Sequence, residues 1–171
     1  MTYHGTSLYF DQLENEPEAD LWSDIIEEMI SIYGQDMMYI PRILGNYDPL
    51  LTEDASSSYE TAIPLALYIK SVDGFEGDGQ FLSKFGLEIR DQVTLVVSKR
   101  IWLEEVGSVT GRQVPQGGDV IYFPLNNKVF QIRYVNQKPF FYQHGKLQTF
   151  EFTCELFEYS NEVFNTGIPQ I

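Results

Sequence analysis

The sequence is short of cysteine and of basic residues. Cys154 is the only cysteine among the 171 residues, so no disulfide can form within the chain, which fits synthesis in a reducing cytosol. Eleven Lys and Arg residues face 25 Asp and Glu residues, and the formal net charge is −14. A surface of this charge repels nucleic-acid phosphates and anionic membranes. The charge therefore argues against a protein that reads DNA sequence, but it allows one past which DNA slides without sticking.

Long hydrophobic runs and a secretory signal are also missing. The longest apolar stretches are a handful of residues, too short to cross a bilayer, and the N-terminal residues lack the basic start and apolar core of a signal peptide. Hydrophobic residues nevertheless make up 43% of the chain and aromatics 15%, too many for a disordered protein. We expect an N-terminal arm at residues 1–15 and a single domain at residues 16–171, made in the cytosol and without a membrane partner.

Residues suited to catalysis are scarce. The two histidines are His4, in the predicted arm, and His144, in a predicted turn before Gly145. A pair of Cys154 with His144 is conceivable in space, but Cys154 alternates with apolar neighbours, a position typical of a small core residue. We predict no catalytic residue and no cofactor.

The glycine-rich segment DGFEGDG at 73–79 resembles a ligand-binding loop only superficially. It lacks the lysine and hydroxyl pair of a P-loop, and its spacing differs from that of the dinucleotide fingerprint. Asp73, Glu76 and Asp78 could gather around a divalent cation, but the remaining ligands of an EF-hand are absent. A turn is the favoured interpretation, and we predict no metal site.

A single amphipathic helix is predicted at residues 17–33. Pro17 suits the first helical turn, and Gly34 stands where a left-handed residue commonly ends a helix. Apolar residues recur at spacings of three and four, which places them on one stripe: Leu21, Trp22, Ile25, Ile26, Met29, Ile30 and Tyr33. We expect this stripe to pack on the β-rich part of its own subunit rather than to bridge to a neighbouring subunit.

Most of the remaining chain shows the period of two that is typical of strands. Strands are predicted at 63–69, 87–97, 120–124, 128–135 and 150–156, and alternation is clearest in the first, the second and the last of them. Asn126 and Asn127 predict a hairpin turn between the third and fourth of these segments. The pattern predicts a mainly β fold, a small antiparallel β-barrel or sandwich with one N-terminal amphipathic helix and a short second helix.

Other segments give weaker signals. The run 37–44 contains Pro41, which predicts an edge strand or a strand end. Residues 45–61 predict a long surface loop, and QFLSKFG at 80–86 predicts a short helical turn capped by Gly86. The segment 99–106 is compatible with either a brief helix or more strand.

Aromatic residues are unusually numerous, with 12 Phe, 11 Tyr and 2 Trp. Some fill the core, and others lie near turns and strand ends, where aromatics are enriched at protein interfaces. An alternative from a different class is a carbohydrate-binding β-sandwich module or a glycosidase, with Trp22 or Trp102 against the sugar. Adjacent carboxylates such as Glu104 and Glu105 would serve a glycosidase, but acids adjacent by chance are expected in so acidic a chain.

Five stretches in order, spread over residues 37–160, resemble the neck protein of T-even-like contractile-tailed bacteriophages. They are MMYIPR at 37–42, LLTEDASSSYETA at 50–62, GFEGDGQFLSKFGLEIRDQVTLVV at 74–97, GGDVIYFPLNNKVFQIRYV at 117–135 and PFFYQHGKLQTFEFTCELFEYS at 139–160. Each stretch alone is weak evidence, whereas the ordered set is specific.

The resemblance implies a structural virion protein that forms a homo-oligomeric ring, with six copies, in the neck. Such a ring joins the DNA-filled head to the contractile tail, helps to retain the genome, and contacts an adjacent head-completion ring, a tail-terminator ring and the passing double-stranded DNA. A tail-terminator or other connector-ring protein is the alternative. The family offers no catalytic residues. Loop positions and aromatics give the candidate subunit or channel interface: Tyr39, Arg42, Asp48, Glu53, Asp54, Phe75, Glu76, Asp78, Phe81 and Phe85.

Overall fold

The computed structural model describes residues 16–45, 47–48, 53–54, 57–73, 81–83, 86–88, 92–136, 147–159 and 162–168. The helical elements are α1 (Glu16–Tyr33), α2 (Lys99–Trp102), a π-helical turn (Leu103–Gly107) and α3 (Ser108–Thr110). The strands are β1 (Gln35–Ile40), β2 (Ile43–Leu44), β3 (Tyr47–Asp48), β4 (Glu53–Asp54), β5 (Ser57–Tyr59), β6 (Ile63–Asp73), β7 (Phe81–Ser83), β8 (Gly86–Glu88), β9 (Gln92–Ser98), β10 (Val120–Phe123), β11 (Lys128–Asn136), β12 (Thr149–Leu156) and β13 (Val163–Phe164).

Six strands close into an antiparallel barrel in the order β1-β10-β11-β12-β9-β6. Strand β6 closes the circle by pairing with β1, with Gln35 opposite Leu67 and Tyr39 opposite Ile63. Alternate residues of each strand point inward, as Phe150, Phe152 and Cys154 of β12 do. The predicted mainly β fold is confirmed, and the barrel is the correct choice between barrel and sandwich.

Helix α1 confirms the predicted helix at 17–33, but its end has a different cause from the one expected. Gly34 is not left-handed, since the glycines with positive φ among the described residues are Gly111, Gly118 and Gly167. Instead the Gly34 amide donates to the Ile30 carbonyl at 2.7 Å. A Cβ on Gly34 would lie 2.3 Å from that oxygen, so close approach of the backbone requires glycine here.

Two predictions about the ends of strands are confirmed: the strand end at Pro41 and the hairpin turn at Asn126 and Asn127. Strand β1 ends at Ile40, directly before Pro41. Proline has no backbone N–H to donate to a neighbouring strand, which is why the strand stops there. Strands β10 and β11 pair as a hairpin, with Phe123 opposite Lys128. Asn127 has a φ of 54°, and the Asn126 side chain accepts from the Lys128 amide at 3.0 Å, which fixes the turn.

The undecided segment after β9 is helical and plugs one end of the barrel. It runs from α2 through the π-helical turn to α3 and ends at Gly111, whose φ is 70°. Trp102 and Val106 are fully buried in the barrel interior. The Trp102 ring packs edge-on against Tyr39 and Phe150, with ring centroids 6.2 and 5.6 Å away. This segment is the short second helix of the fold.

The short helix predicted at 80–86 is wrong. Phe81–Ser83 and Gly86–Glu88 pair instead as antiparallel strands β7 and β8, with Ser83 opposite Gly86. The glycine that suggested a helix cap is equally compatible with a hairpin, because glycine is found in both kinds of reversal.

The surface loop predicted at 45–61 is wrong for its last part. Residues 57–59 form strand β5, which lies between β2 and β13 in a small second sheet. Ser57 and Tyr59 are buried. Tyr59 belongs to a cluster of apolar residues on the outer side of β1, β10 and β11, together with Ile40, Val120, Tyr122, Val129 and Phe157. This sheet therefore covers one side of the barrel.

Candidate functional site

The structure describes six of the ten predicted interface residues and brings two of them together. Tyr39 and Arg42 meet at one buried carboxylate, that of Asp119. Asp48 lies on β3, Glu53 and Asp54 lie on β4, and Phe81 lies on β7. Phe75, Glu76, Asp78 and Phe85 fall outside the described residues, as do the predicted arm at 1–15 and His144.

Asp119, which the sequence analysis did not single out, is the centre of a buried polar network. Its side chain is 1% exposed and accepts from the Tyr39 hydroxyl, from the Arg42 amide at 2.8 Å and from the Gln116 amide at 3.1 Å. Nη1 of Arg112 donates to both carboxylate oxygens, at 2.9 and 3.1 Å. Such a carboxylate is stable when buried because every lone-pair direction meets a donor.

The network fastens the small sheet and the segment after α3 to the barrel. Nη2 of Arg112 donates to the Arg42 carbonyl at 2.7 Å, and Nε of Arg42 donates to the Ser57 hydroxyl at 2.7 Å. The Tyr59 hydroxyl donates to the Gly118 carbonyl at 3.1 Å. Tyr39 is fully buried in its own subunit, so in this structure its side chain offers no surface to a second subunit.

Burial raises the pKa of both tyrosines in this region. For Tyr39 burial is the main cause, and the neighbouring Asp119 carboxylate raises the pKa further, well above the usual range. For Tyr59 burial raises the pKa to about 12. Both hydroxyls therefore stay protonated and act as hydrogen-bond donors at neutral pH.

Helix α1 has two apolar faces rather than one. Ala19 and Ile30 are buried against the barrel, with Ile26 half-buried beside them. The other face is open to solvent, with exposures from 42% to 69%. We call it the outer face of α1 and define it by Leu21, Ile25, Met29, Ile32 and Tyr33. Of the seven residues of the predicted stripe, Ile30 is buried, Trp22 and Ile26 are half-buried, and the other four are exposed. The expectation that the stripe packs on its own barrel is therefore met only in part.

An ion-pair cluster holds α1 against the plugged end of the barrel. Nη2 of Arg100 in α2 donates to the Asp24 carboxylate at 2.5 Å and to Glu27, and Nε of Arg100 donates to Glu27 at 2.8 Å. These hydrogen bonds raise the pKa of the Arg100 guanidinium. The cluster fixes which face of α1 points to the barrel and leaves the outer face turned away.

The barrel end opposite the plug opens into an apolar cavity, which we call the mouth. It has a volume of about 380 Å³. Its wall includes Met37, Ile69, Val72, Phe123, Leu125 and Phe130. Val72 is 45% exposed and Leu125 79% exposed, so apolar surface continues from the cavity to its rim.

Among the described residues, no reactive groups are gathered at the outer face of α1 or at the mouth. Cys154 is buried, and burial raises the pKa of its thiol. Trp102 is in the core, and its indole Nε1 has no hydrogen-bond partner. Within the described ranges, no three His, Cys, Asp or Glu side chains come together in a way that could hold a metal ion. None of the helices in the same ranges has the length and apolar character needed to cross a bilayer.

A small closed β-barrel with an open apolar helix face and an open apolar mouth is typical of proteins that assemble with other chains. A comparison with protein-family models matches residues 5–171 to the family described as virus neck protein. The chain belongs to the virus neck protein family and is a structural protein of the virion neck. The resemblance noted in the sequence is thereby confirmed.

Proposed function

We propose that six copies of this chain form a closed ring in the phage neck, joining the DNA-filled head to the contractile tail and helping to retain the genome. The observation that carries this proposal is the outer face of α1. Five large apolar side chains on one helix face are exposed in a single subunit, and contiguous exposed apolar patches commonly mark protein contacts.

The size of this face fits a subunit interface. From the exposed fractions, its five side chains present roughly 400–600 Å² of surface, the upper range for the largest patch on a monomer. A standard interface buries about 800 Å² per partner, of which somewhat more than half is apolar. The outer face therefore supplies the apolar part of one ordinary interface, while polar neighbours would form its rim.

The charge of the chain fits a channel through which DNA passes. A net charge of −14 per subunit disfavours adhesion of phosphate to the ring. Retention would then depend on physical closure and on the neighbouring rings, an adjacent head-completion ring and a tail-terminator ring. The acids on β3 and β4, Asp48, Glu53 and Asp54, remain candidates for the channel side, together with Glu76 and Asp78.

Native mass spectrometry of the isolated protein, with and without the adjacent head-side neck protein, tests the ring. We expect a six-copy species, at least when the neighbour is present. Ile25→Asp should leave the subunit folded and abolish that species. Val109→Asp should not, although Val109 is also an exposed apolar residue, at 61% against 47% for Ile25. A stable dimer under both conditions would contradict the proposal.

Assembly without this chain separates the neck role from the alternative of a tail terminator. A neck ring predicts complete tails and DNA-filled heads that do not join and that lose DNA. Defective tails would instead favour a terminator. The carbohydrate-binding alternative loses one of its two tryptophans, because Trp102 is 0% exposed in the barrel interior.

A further inference from the structure

We propose that the outer face of α1 of one subunit packs against the mouth of the next. This inference rests on the proposed ring and names the two surfaces that meet in it. Both are apolar and open to solvent, and they lie at different places on the subunit. A contact between two different patches repeats from copy to copy and produces a ring when the rotation closes.

The mouth has the size and the lining to receive side chains of a helix. An apolar cavity of about 150 Å³ holds a benzene molecule, and the mouth measures about 380 Å³. It therefore has room for more than one aliphatic side chain such as Leu21 or Ile25. Filling it would also cover Val72 and Leu125, which are 45% and 79% exposed in the isolated subunit.

The charge of α1 argues against the simpler arrangement in which two outer faces pack on each other. The helix carries six acids and no Lys or Arg: Glu16, Glu18, Asp20, Asp24, Glu27 and Glu28. Two of the acids pair with Arg100. Glu28, three residues after Ile25 and four before Ile32, is exposed at the edge of the outer face. A symmetric helix pair would bring these like charges together.

The mouth offers a charge of the opposite sign. Exposed Lys128 stands opposite Phe123 in the β10–β11 hairpin. It precedes Phe130 by two residues, so it lies on the same side of the strand, the side that lines the mouth. The nearby acid Asp36 alternates with the mouth residue Met37 and faces the other way. In the proposed contact, an acid-edged helix therefore meets an apolar cavity that has one lysine beside it.

Cysteine crosslinking of the full chain tests this contact directly. The chain is suited to it because its own Cys154 is fully buried. Ile25→Cys and Leu125→Cys proteins are prepared separately, mixed at high concentration, and treated with a short bismaleimide, and the products are identified by intact mass. We expect the mixed dimer to exceed either homodimer about tenfold, a preference of about 1.4 kcal/mol. A Val109→Cys protein in place of either partner is the control and should give no preferred product.

Two outcomes would overturn the proposal. A dominant Ile25→Cys homodimer would mean that outer faces pair symmetrically. Products no more abundant than those of the Val109→Cys control would mean that the two surfaces do not meet, as when residues 1–15 of the same chain cover the face. In both cases a six-copy species in native mass spectra would still support the ring, so failure of this contact and failure of the proposed function are distinguishable.

Discussion

Replacement of Asp119 by asparagine tests whether the buried network holds the small sheet to the barrel. The asparagine amide keeps the shape of the carboxylate but has only one acceptor oxygen. Its NH₂ group faces donors that bonded to the second carboxylate oxygen, and these donors lose their acceptor. Removal of one member of a fully buried pair costs about 3–5 kcal/mol. The Arg112 side chain is 24% exposed, so water still solvates part of its guanidinium. We therefore expect the free energy of unfolding to fall by about 2–4 kcal/mol.

Urea denaturation followed by tryptophan fluorescence measures this loss. The signal is suitable because Trp102 packs beside Tyr39, a donor to Asp119. For a chain of this length the melting temperature should fall by roughly 5–15 °C. The matched control is Glu151→Gln, the same chemical change in an exposed pair with Lys70, which should cost less than about 1 kcal/mol. If Asp119→Asn and Glu151→Gln lowered the free energy of unfolding equally little, the buried network would stabilise the fold no more than an exposed ion pair does.

Three further predictions concern the helix, alkaline pH and DNA. Ile30→Ala should lower the free energy of unfolding in urea denaturation by about 2–5 kcal/mol, because Ile30 is buried. Ile25→Asp should lower it by about 1 kcal/mol or less. Equal losses would mean that the outer face is covered within the subunit. Because burial raises the pKa of Tyr59 to about 12, its contribution to stability is complete below pH 10 and is lost as the pH rises through 12. Urea midpoints across this range should fall less steeply in Tyr59→Phe than in the unaltered protein. Finally, filter binding should show affinity for duplex DNA weaker than about micromolar at physiological salt, and a tighter, steeply salt-dependent complex would reveal a basic groove.

Periodicity was sufficient to predict the elements that have one wet and one dry face. Strands β6, β9 and β12 follow their spacing closely because their burial alternates with it. Strand β10 is different, since its burial is nearly continuous. Ile121 faces the barrel interior while Val120 and Tyr122 face the cluster under the small sheet. The sequence showed that this run was apolar, but not that a second sheet would cover it.

The candidate site was harder to predict because its parts are distant in sequence. Asp119 follows two glycines and precedes a buried strand, a local hint of an unusual acid. Its partners come from residues as far away as Tyr39, 80 positions earlier, and no local pattern links them. The same limit applies to α1. Its seven predicted apolar positions suggested one broad stripe, and only the packing on β6 and β9 divides that stripe into a buried and an exposed face.

The coverage of the barrel explains why the two proposed contact surfaces are left open. Helix α1 lies over β6 and β9, and the sheet of β2, β5 and β13 lies over β1, β10 and β11. The helical plug with Trp102 and Val106 fills one end of the interior. Within the described residues, open apolar surfaces remain on the far side of α1 and at the unplugged end of the barrel, and Ile43, Leu44 and Val163 of the small sheet are exposed as well. A subunit with two such surfaces, unlike in shape and in charge, has what a repeating head-to-tail contact requires.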